Sequence, residues 1–208
     1  MIRSPKEELM SSLEQADLLR VKVNEAYSAI ASMPADKHPL PVGRKLAEDL
    51  GYPPELLDSL PQVSVDAFAG VSNVALFAQL LPGATVLDLG CGAGMDAIIA
   101  ARRVGSTGQV IGIDFSETML ERAARAKQSQ NLPHLSFRRG DAEELPLGDA
   151  SIDAAIVNGI FNLNPKRRNI FSELARVLRP GGSAWVAELV LAKPLPESDL
   201  ANKDNWFA

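Results

Sequence analysis

The stretch Thr85–Met95, reading TVLDLGCGAGM, constrains the fold more than any other part of the chain. Val86, Leu87 and Leu89 form an apolar run of strand length that ends in Gly90-Cys91-Gly92-Ala93-Gly94. Ala97, Ile98, Ile99, Ala100 and Ala101 then read as an apolar helix that stops at Gly105. Strand, glycine turn and helix in that order open a βαβ unit. Glycines in the turn remove side chains, so a ligand can lie against bare backbone at a helix N-terminus.

The alternation continues downstream. The pattern predicts strands over Gln109–Asp114, Leu135–Arg139, Ile152–Asn158 and Ser183–Leu191, the last entered through Pro180-Gly181-Gly182. It predicts a helix from Glu117 to Ser129 capped by Ser116. A second, opened by Asn164-Pro165, has Ile170, Phe171, Leu174, Val177 and Leu178 on one face. Strands this apolar, joined by helices, indicate a parallel sheet covered on both faces. The expected fold is therefore α/β, a Rossmann-like doubly wound parallel sheet.

Upstream the periodicity is helical. Ser4-Pro5-Lys6-Glu7 has the form of a capping box. Leu9, Leu13, Ala16, Val23, Tyr27 and Ile30 follow at helical spacing, which predicts one amphipathic helix from residue 5 to about residue 30. Pro34, Pro39, Pro41 and Gly43 mark a loop. Short helices are expected over Arg44–Leu50, Pro54–Leu60 and Asn73–Leu81. The division expected is a helical N-terminal cap over 1–80 and a Rossmann-like domain over 81–208.

Composition excludes several function classes. A net charge of -5 and a pI near 5.1 argue against a nucleic-acid partner held by a basic surface. The lone cysteine, Cys91, leaves no intrachain disulfide and no cysteine-cluster metal site. No apolar run reaches membrane-spanning length, and the early charges Lys6, Glu7 and Glu8 do not fit a signal peptide. A cytoplasmic protein with no membrane partner and no metal is the expectation.

In a doubly wound sheet, ligands bind at the carboxyl ends of the strands near the switch point. Here those ends carry Asp88 with the glycine turn, Asp114, Gly140-Asp141-Ala142-Glu143 and Asn158-Gly159. Asp114 is placed to accept hydrogen bonds from both hydroxyls of a ribose. A dinucleotide site is the rival reading, but its fingerprint ends in Gly or Ala where this chain has Met95. A nicotinamide-dependent oxidoreductase also lacks its Tyr/Lys-type catalytic pair here.

Four motifs in order carry a more specific resemblance: Val86–Gly94, Ile113-Asp114, Gly140–Pro146 and Leu178-Arg179-Pro180-Gly181-Gly182. Over residues 84 to 191 they resemble class I S-adenosylmethionine-dependent methyltransferases. The resemblance implies that the turn Gly90, Cys91, Gly92 and Gly94, behind Asp88, lies along the methionine part of that cofactor. It implies that Asp114 holds the ribose and that Phe115 and Met119 flank the adenine. Asp141 and the Ala142 backbone would read its amino edge, and Asn158 would lie beside the sulfonium. That fold usually finishes with two more strands, for which Ala192–Ala208 is too short. Either the chain is truncated or a partner, a second copy being one candidate, covers the sheet's open edge.

Within that superfamily the segments Ala101–Gly105 and Asn158–Asn164, with the Tyr27 region, are most similar to arsenite methyltransferases. The arsenic enzymes hold their substrate through cysteine thiolates, and the comparable positions here are Val71 and Gly159. Arsenic(III) needs soft sulfur ligands, so arsenite is not the expected substrate. The Asp/Asn-Pro-Pro-aromatic motif of enzymes acting on amide or base nitrogens is also absent from Asn158-Gly159-Ile160-Phe161. The expected activity is methyl transfer to a small-molecule acceptor, with a non-catalytic cofactor-binding descendant as the alternative. Tyr27, Phe68 and Phe161 are the expected acceptor-lining residues, beside Asn158. No catalytic residue is assigned: His38 and His134 read as surface histidines, Cys91 as a packing residue and Asp96 as a helix cap.

Overall fold

The computed structural model describes residues 41–164, 166–190 and 192–193. The expected helix over residues 5 to 30, with Tyr27, and the loop residue His38 lie outside the described residues. Four short helices come first: α1 (Gly43–Asp49), α2 (Pro54–Asp58), α3 (Gln62–Val65) and α4 (Val74–Phe77). Strands and helices then alternate: β1 (Thr85–Leu89), α5 (Met95–Val104), β2 (Gln109–Asp114), α6 (Glu117–Gln128), β3 (Leu135–Arg139), β4 (Ile152–Asn158), α7 (Arg167–Val177) and β5 (Leu178–Ala187).

The five strands form one parallel sheet in the order β3-β2-β1-β4-β5. The order reverses between β1 and β4, which is the switch point where such sheets open a crevice. Alternation along the strands feeds two cores. Val86, Val110, Ala154 and Ile156 face a layer built from α5, α6 and the N-terminal helices, including Tyr52, Leu57, Val65 and Phe68. Leu87, Leu89, Ile111, Ile113, Ala155 and Val157 face α7 through Ile170, Leu174 and Val177. Residues 42–80 thus share a core with the sheet and put their loops at its carboxyl edge.

Several boundaries differ from the sequence-based expectation. The helix expected over Asn73–Leu81 stops at Phe77, because Ala78 is already extended. An additional turn of helix, α3, follows Pro61, whose fixed φ of -60° suits a helix entry. β5 begins at Leu178 rather than Ser183 and ends at Ala187 rather than Leu191. Leu178 pairs with Ile152, and the register then jumps so that Ser183 pairs with Ala154. The residues between bulge out, with Gly181 at φ 85°. The α6 cap is as expected: Ser116 Oγ accepts from the Met119 N–H at 3.4 Å. Among the described residues no helix is long and apolar enough to cross a membrane.

Candidate functional site

A cavity of about 510 Å³ opens at the carboxyl ends of β1, β2, β3 and β4. Asp88, Gly90, Cys91, Gly92, Asp114, Phe115, Met119, Asp141, Ala142 and Asn158 all line it, as does Phe68 from the loop after α3. Gly94 and Phe161 do not.

The three turn glycines have three different neighbours. All have positive φ: 76° at Gly90, 49° at Gly92 and 83° at Gly94. A Cβ on Gly90 would meet Ile160 Cγ2 at 2.4 Å, and one on Gly94 would meet Phe137 Cζ at 2.7 Å. A Cβ on Gly92 would meet nothing within 4 Å. Gly90 and Gly92 both line the cavity, but Gly92 alone of the three leaves open space where a side chain would be, while Gly94 lets α5 pack against β3 and α6. The Gly94 expectation is corrected accordingly: its missing side chain serves helix packing.

Asp114 is 7% exposed and is fixed by the turn it serves. Its Oδ2 accepts from the Gly92 N–H at 2.8 Å and its Oδ1 from the Ser116 N–H at 2.8 Å. Burial raises its pKa, and the backbone N–H groups of Ser116, Gly92 and Phe115 oppose that rise. Each carboxylate oxygen keeps a further lone pair for a ligand hydroxyl. Asp141 lies at the next strand end, its Oδ1 accepting from the Glu143 N–H at 2.9 Å.

Asp88 and Asp96 form a second acidic layer under the cavity. Asp88 is 2% exposed, and its Oδ2 has no hydrogen-bond partner among the described residues. Burial, Asp96 and Asp114 all push its pKa up. Asp96 does not cap α5, where Gly94 is the N-cap and no side chain bonds to the helix end. Instead it accepts from the Tyr52 hydroxyl at 2.5 Å and from Asn158 Nδ2 at 3.0 Å. Burial raises the Asp96 pKa to about 6, against the lowering pull of those two donors.

Asn158 spends its whole side chain on the protein. Its Oδ1 accepts from the N–H groups of Val71, 2.9 Å, and Ser72, 3.1 Å, and its Nδ2 donates to the Ser72 carbonyl at 2.7 Å as well as to Asp96. It binds the loop before α4 to the end of β4. Phe161 is buried instead among Leu145 and the α7 side chains, with its ring stacked on Phe171 at 4.4 Å. The loop it sits in is held by Glu188, whose carboxylate accepts from the Phe161 N–H at 2.6 Å and the Asn162 N–H at 3.1 Å. Loop residues Ile160, Leu163 and Asn164 line the cavity in place of Phe161.

Cys91 is buried, and its Sγ would lie 2.9 Å from a Cβ on Gly112, so it fills the space that glycine leaves. Burial and the charges of Asp114 and Asp88 push its pKa up. A thiol held protonated in this way is a poor nucleophile. His134 Nε2 lies 2.9 Å from the Ala101 carbonyl, so that ring joins α5 to the turn before β3. Among the described residues no group of three or more His, Cys, Asp or Glu could hold a metal ion.

Asp96, Tyr52, Gly70 and Glu188 were not singled out as site residues by sequence reasoning. One signal existed: Asp96 is an acidic residue inside a helix whose residues are all buried except Arg102 and Arg103. A buried carboxylate needs partners.

A methyltransferase-domain family model matches residues 80–207. An arsenite methyltransferase of Halobacterium salinarum is 36% identical over 159 residues, which is 76% of this chain and 40% of that protein. A 2-phytyl-1,4-naphtoquinone methyltransferase of Trichormus variabilis is 44% identical over 109 residues, 51% of this chain and 47% of that protein. The crystal structure of an arsenic(III) S-adenosylmethionine methyltransferase from Chlamydomonas reinhardtii superposes with a TM-score of 0.60 at 31% identity, covering 82% of this chain and 57% of that one. The chain spans about half the length of these relatives.

Proposed function

The chain belongs to the S-adenosylmethionine-dependent methyltransferases, and from that premise we propose that it methylates a small apolar organic acceptor rather than arsenite. One observation carries the choice of acceptor. Val71 and Gly159, which stand where the resemblance puts the arsenic enzymes' thiolates, pack directly against each other: a Cβ on Gly159 would lie 3.0 Å from Val71 Cγ1. Hydrocarbon against bare backbone offers arsenic(III) no ligand. The sole cysteine is the buried Cys91.

The residues present fit the cofactor. Gly92 leaves open space against the turn, Asp114 is held rigid with lone pairs to spare, and the orphaned Asp88 Oδ2 awaits a donor. When bound, S-adenosylmethionine supplies an electrophilic methyl group on a sulfonium. The protein's work is then alignment and exclusion of water. Asp114 takes the ribose hydroxyls, Phe115 and Met119 the adenine, and Asp141 with Ala142 its amino edge. Phe68, Gly70, Gly159, Ile160, Leu163 and Ile170 form an uncharged stretch of the remaining wall, which suits an apolar acceptor. Arg139, at the end of β3 near Asp141, also lines the cavity. Tyr27 extends the same expectation to residues outside those described.

The test is transfer from methyl-labelled S-adenosylmethionine to two acceptors, reduced 1,4-naphthoquinone and arsenite with a thiol reductant. Label in the organic product and none in an arsenical supports the reading. Label in an arsenical overturns it.

A further inference from the structure

We propose that Asp96 is a positioning residue: its carboxylate locks the Gly70–Ser72 segment, which carries Gly70 into the cavity wall, onto β4 through Asn158, and so sets the cavity's affinity for the adenosyl cofactor. The inference rests on the reading of the cavity as a cofactor site.

An amide side chain can be seated in either of two orientations, and its neighbours choose between them. Asn158 meets two acceptors on one side, Asp96 Oδ2 and the Ser72 carbonyl, and two donors on the other, the N–H groups of Val71 and Ser72. Asp96 is the member of that set contributed by the glycine-turn helix, α5, and it is anchored in turn by the Tyr52 hydroxyl. The amide therefore reads the state of the carboxylate and passes it to three backbone groups of Val71 and Ser72, next to Gly70 in the wall. Space is tight: a Cβ on Gly70 would lie 2.5 Å from Asn158 Nδ2, so the wall closes directly onto the amide. Asp96, Asn158 and Gly70 all line the cavity, which makes the lock part of the site rather than of the distant core.

Few other groups among the described residues face Asp96. Tyr52 approaches from the segment between α1 and α2, Asn158 from β4 and Asp88 from β1, and among the described residues neither Asp96 nor Asp88 is paired with a cation. Asp114 and Cys91 lie beyond Asp88 and interact with it rather than with Asp96. Burial pushes the Asp96 pKa up to about 6, and the Tyr52 hydroxyl and the Asn158 amide hold it down. Protonation of the carboxyl weakens it as the acceptor that orients Asn158.

The test is calorimetric affinity for S-adenosylhomocysteine from pH 5 to pH 8 in wild type, Asp96→Asn and Tyr52→Phe. Wild-type affinity is expected to fall as pH drops through about 6. Tyr52→Phe keeps the carboxyl but removes a donor that lowers its pKa, so the midpoint moves to higher pH. Asp96→Asn is a neutral stand-in for the protonated carboxyl and is expected to bind at pH 8 at least tenfold more weakly than wild type, with no midpoint near 6. The shift in Tyr52→Phe separates a positioning role from a folding defect, because partial unfolding does not move a midpoint. Wild-type binding that is independent of pH, or a midpoint that Tyr52→Phe leaves in place, overturns the inference. Failure of S-adenosylhomocysteine to bind wild type at any pH overturns the cofactor reading instead.

Discussion

Val71 leans on the bare Cα of Gly159, with 3.0 Å between Val71 Cγ1 and the place a Cβ on Gly159 would take. The glycine has φ 80°, a conformation that any side chain would strain. The contact leaves no room and no sulfur for a soft metalloid. Arsenite titrated into the protein saturated with S-adenosylhomocysteine is expected to give no isotherm. Stoichiometric binding would contradict the assignment of an organic acceptor.

The glycine turn separates ligand contact from packing. Gly92→Ala places a methyl group in open cavity at φ 49°, at a conformational cost of about 1 kcal/mol. Gly94→Ala forces a methyl group to within 2.7 Å of Phe137 Cζ, and overpacking adds roughly 1–3 kcal/mol to the same backbone cost. Urea unfolding should rank Gly94→Ala the less stable, and S-adenosylhomocysteine titration should rank Gly92→Ala the weaker binder for its stability. The reverse ranking would mean that the ligand does not lie against Gly92.

The loop that follows β4 and packs Ile160 against Gly90 depends on one carboxylate. Glu188 accepts from the N–H groups of Phe161 and Asn162 and from Asn162 Nδ2. Hydrogen bonds to a charged acceptor are worth roughly 1.5–3 kcal/mol each. Glu188→Ala should speed amide exchange at Phe161 and Asn162 by about 10- to 100-fold and leave the amides of β1 unchanged. Unchanged exchange at Phe161 would show that the loop holds itself.

Much of this was legible in the chain. Val86–Gly94 and Asp114 are local signals, because a strand, a tight turn and a strand-end acid each span a few residues. The ordered motifs gave the parallel sheet and most of the cavity lining. The Tyr52–Asp96 bond was not legible: it joins residues 44 apart, and no local pattern around either points to the other. Glu188 meets Phe161 across 27 residues for the same reason. Phe161 was misplaced because an aromatic residue after a strand looks the same in sequence whether it faces a ligand or the core. The β5 boundaries shifted because a bulge at Gly181 lets pairing begin before the glycines that look like its turn.

Burial of Asp96 also enters the stability of the fold. Its pKa rises from the ordinary 3.8 to about 6 on folding. The protonated form is thus favoured in the folded state. Its stabilising contribution is complete below the unfolded value and is lost as pH rises through about 6, for a total of roughly 3 kcal/mol. The difference in unfolding free energy between wild type and Asp96→Asn should therefore move by about that amount, to the disadvantage of wild type, from about pH 4 to about pH 7. Groups other than Asp88, whose pKa Asp96 itself pushes up, are common to both proteins and cancel. A difference that stays constant over this range would show that Asp96 keeps an ordinary pKa.

The central claim is that an adenosyl ligand lies across Gly92 and is gripped through its ribose by Asp114. Calorimetric titration of S-adenosylhomocysteine into wild type and Asp114→Asn, with NAD as the competing ligand, tests it most directly. The account predicts one site in wild type, at least a tenfold loss in Asp114→Asn and no binding of NAD. Binding of NAD in place of S-adenosylhomocysteine, or equal affinity in the two proteins, would contradict it.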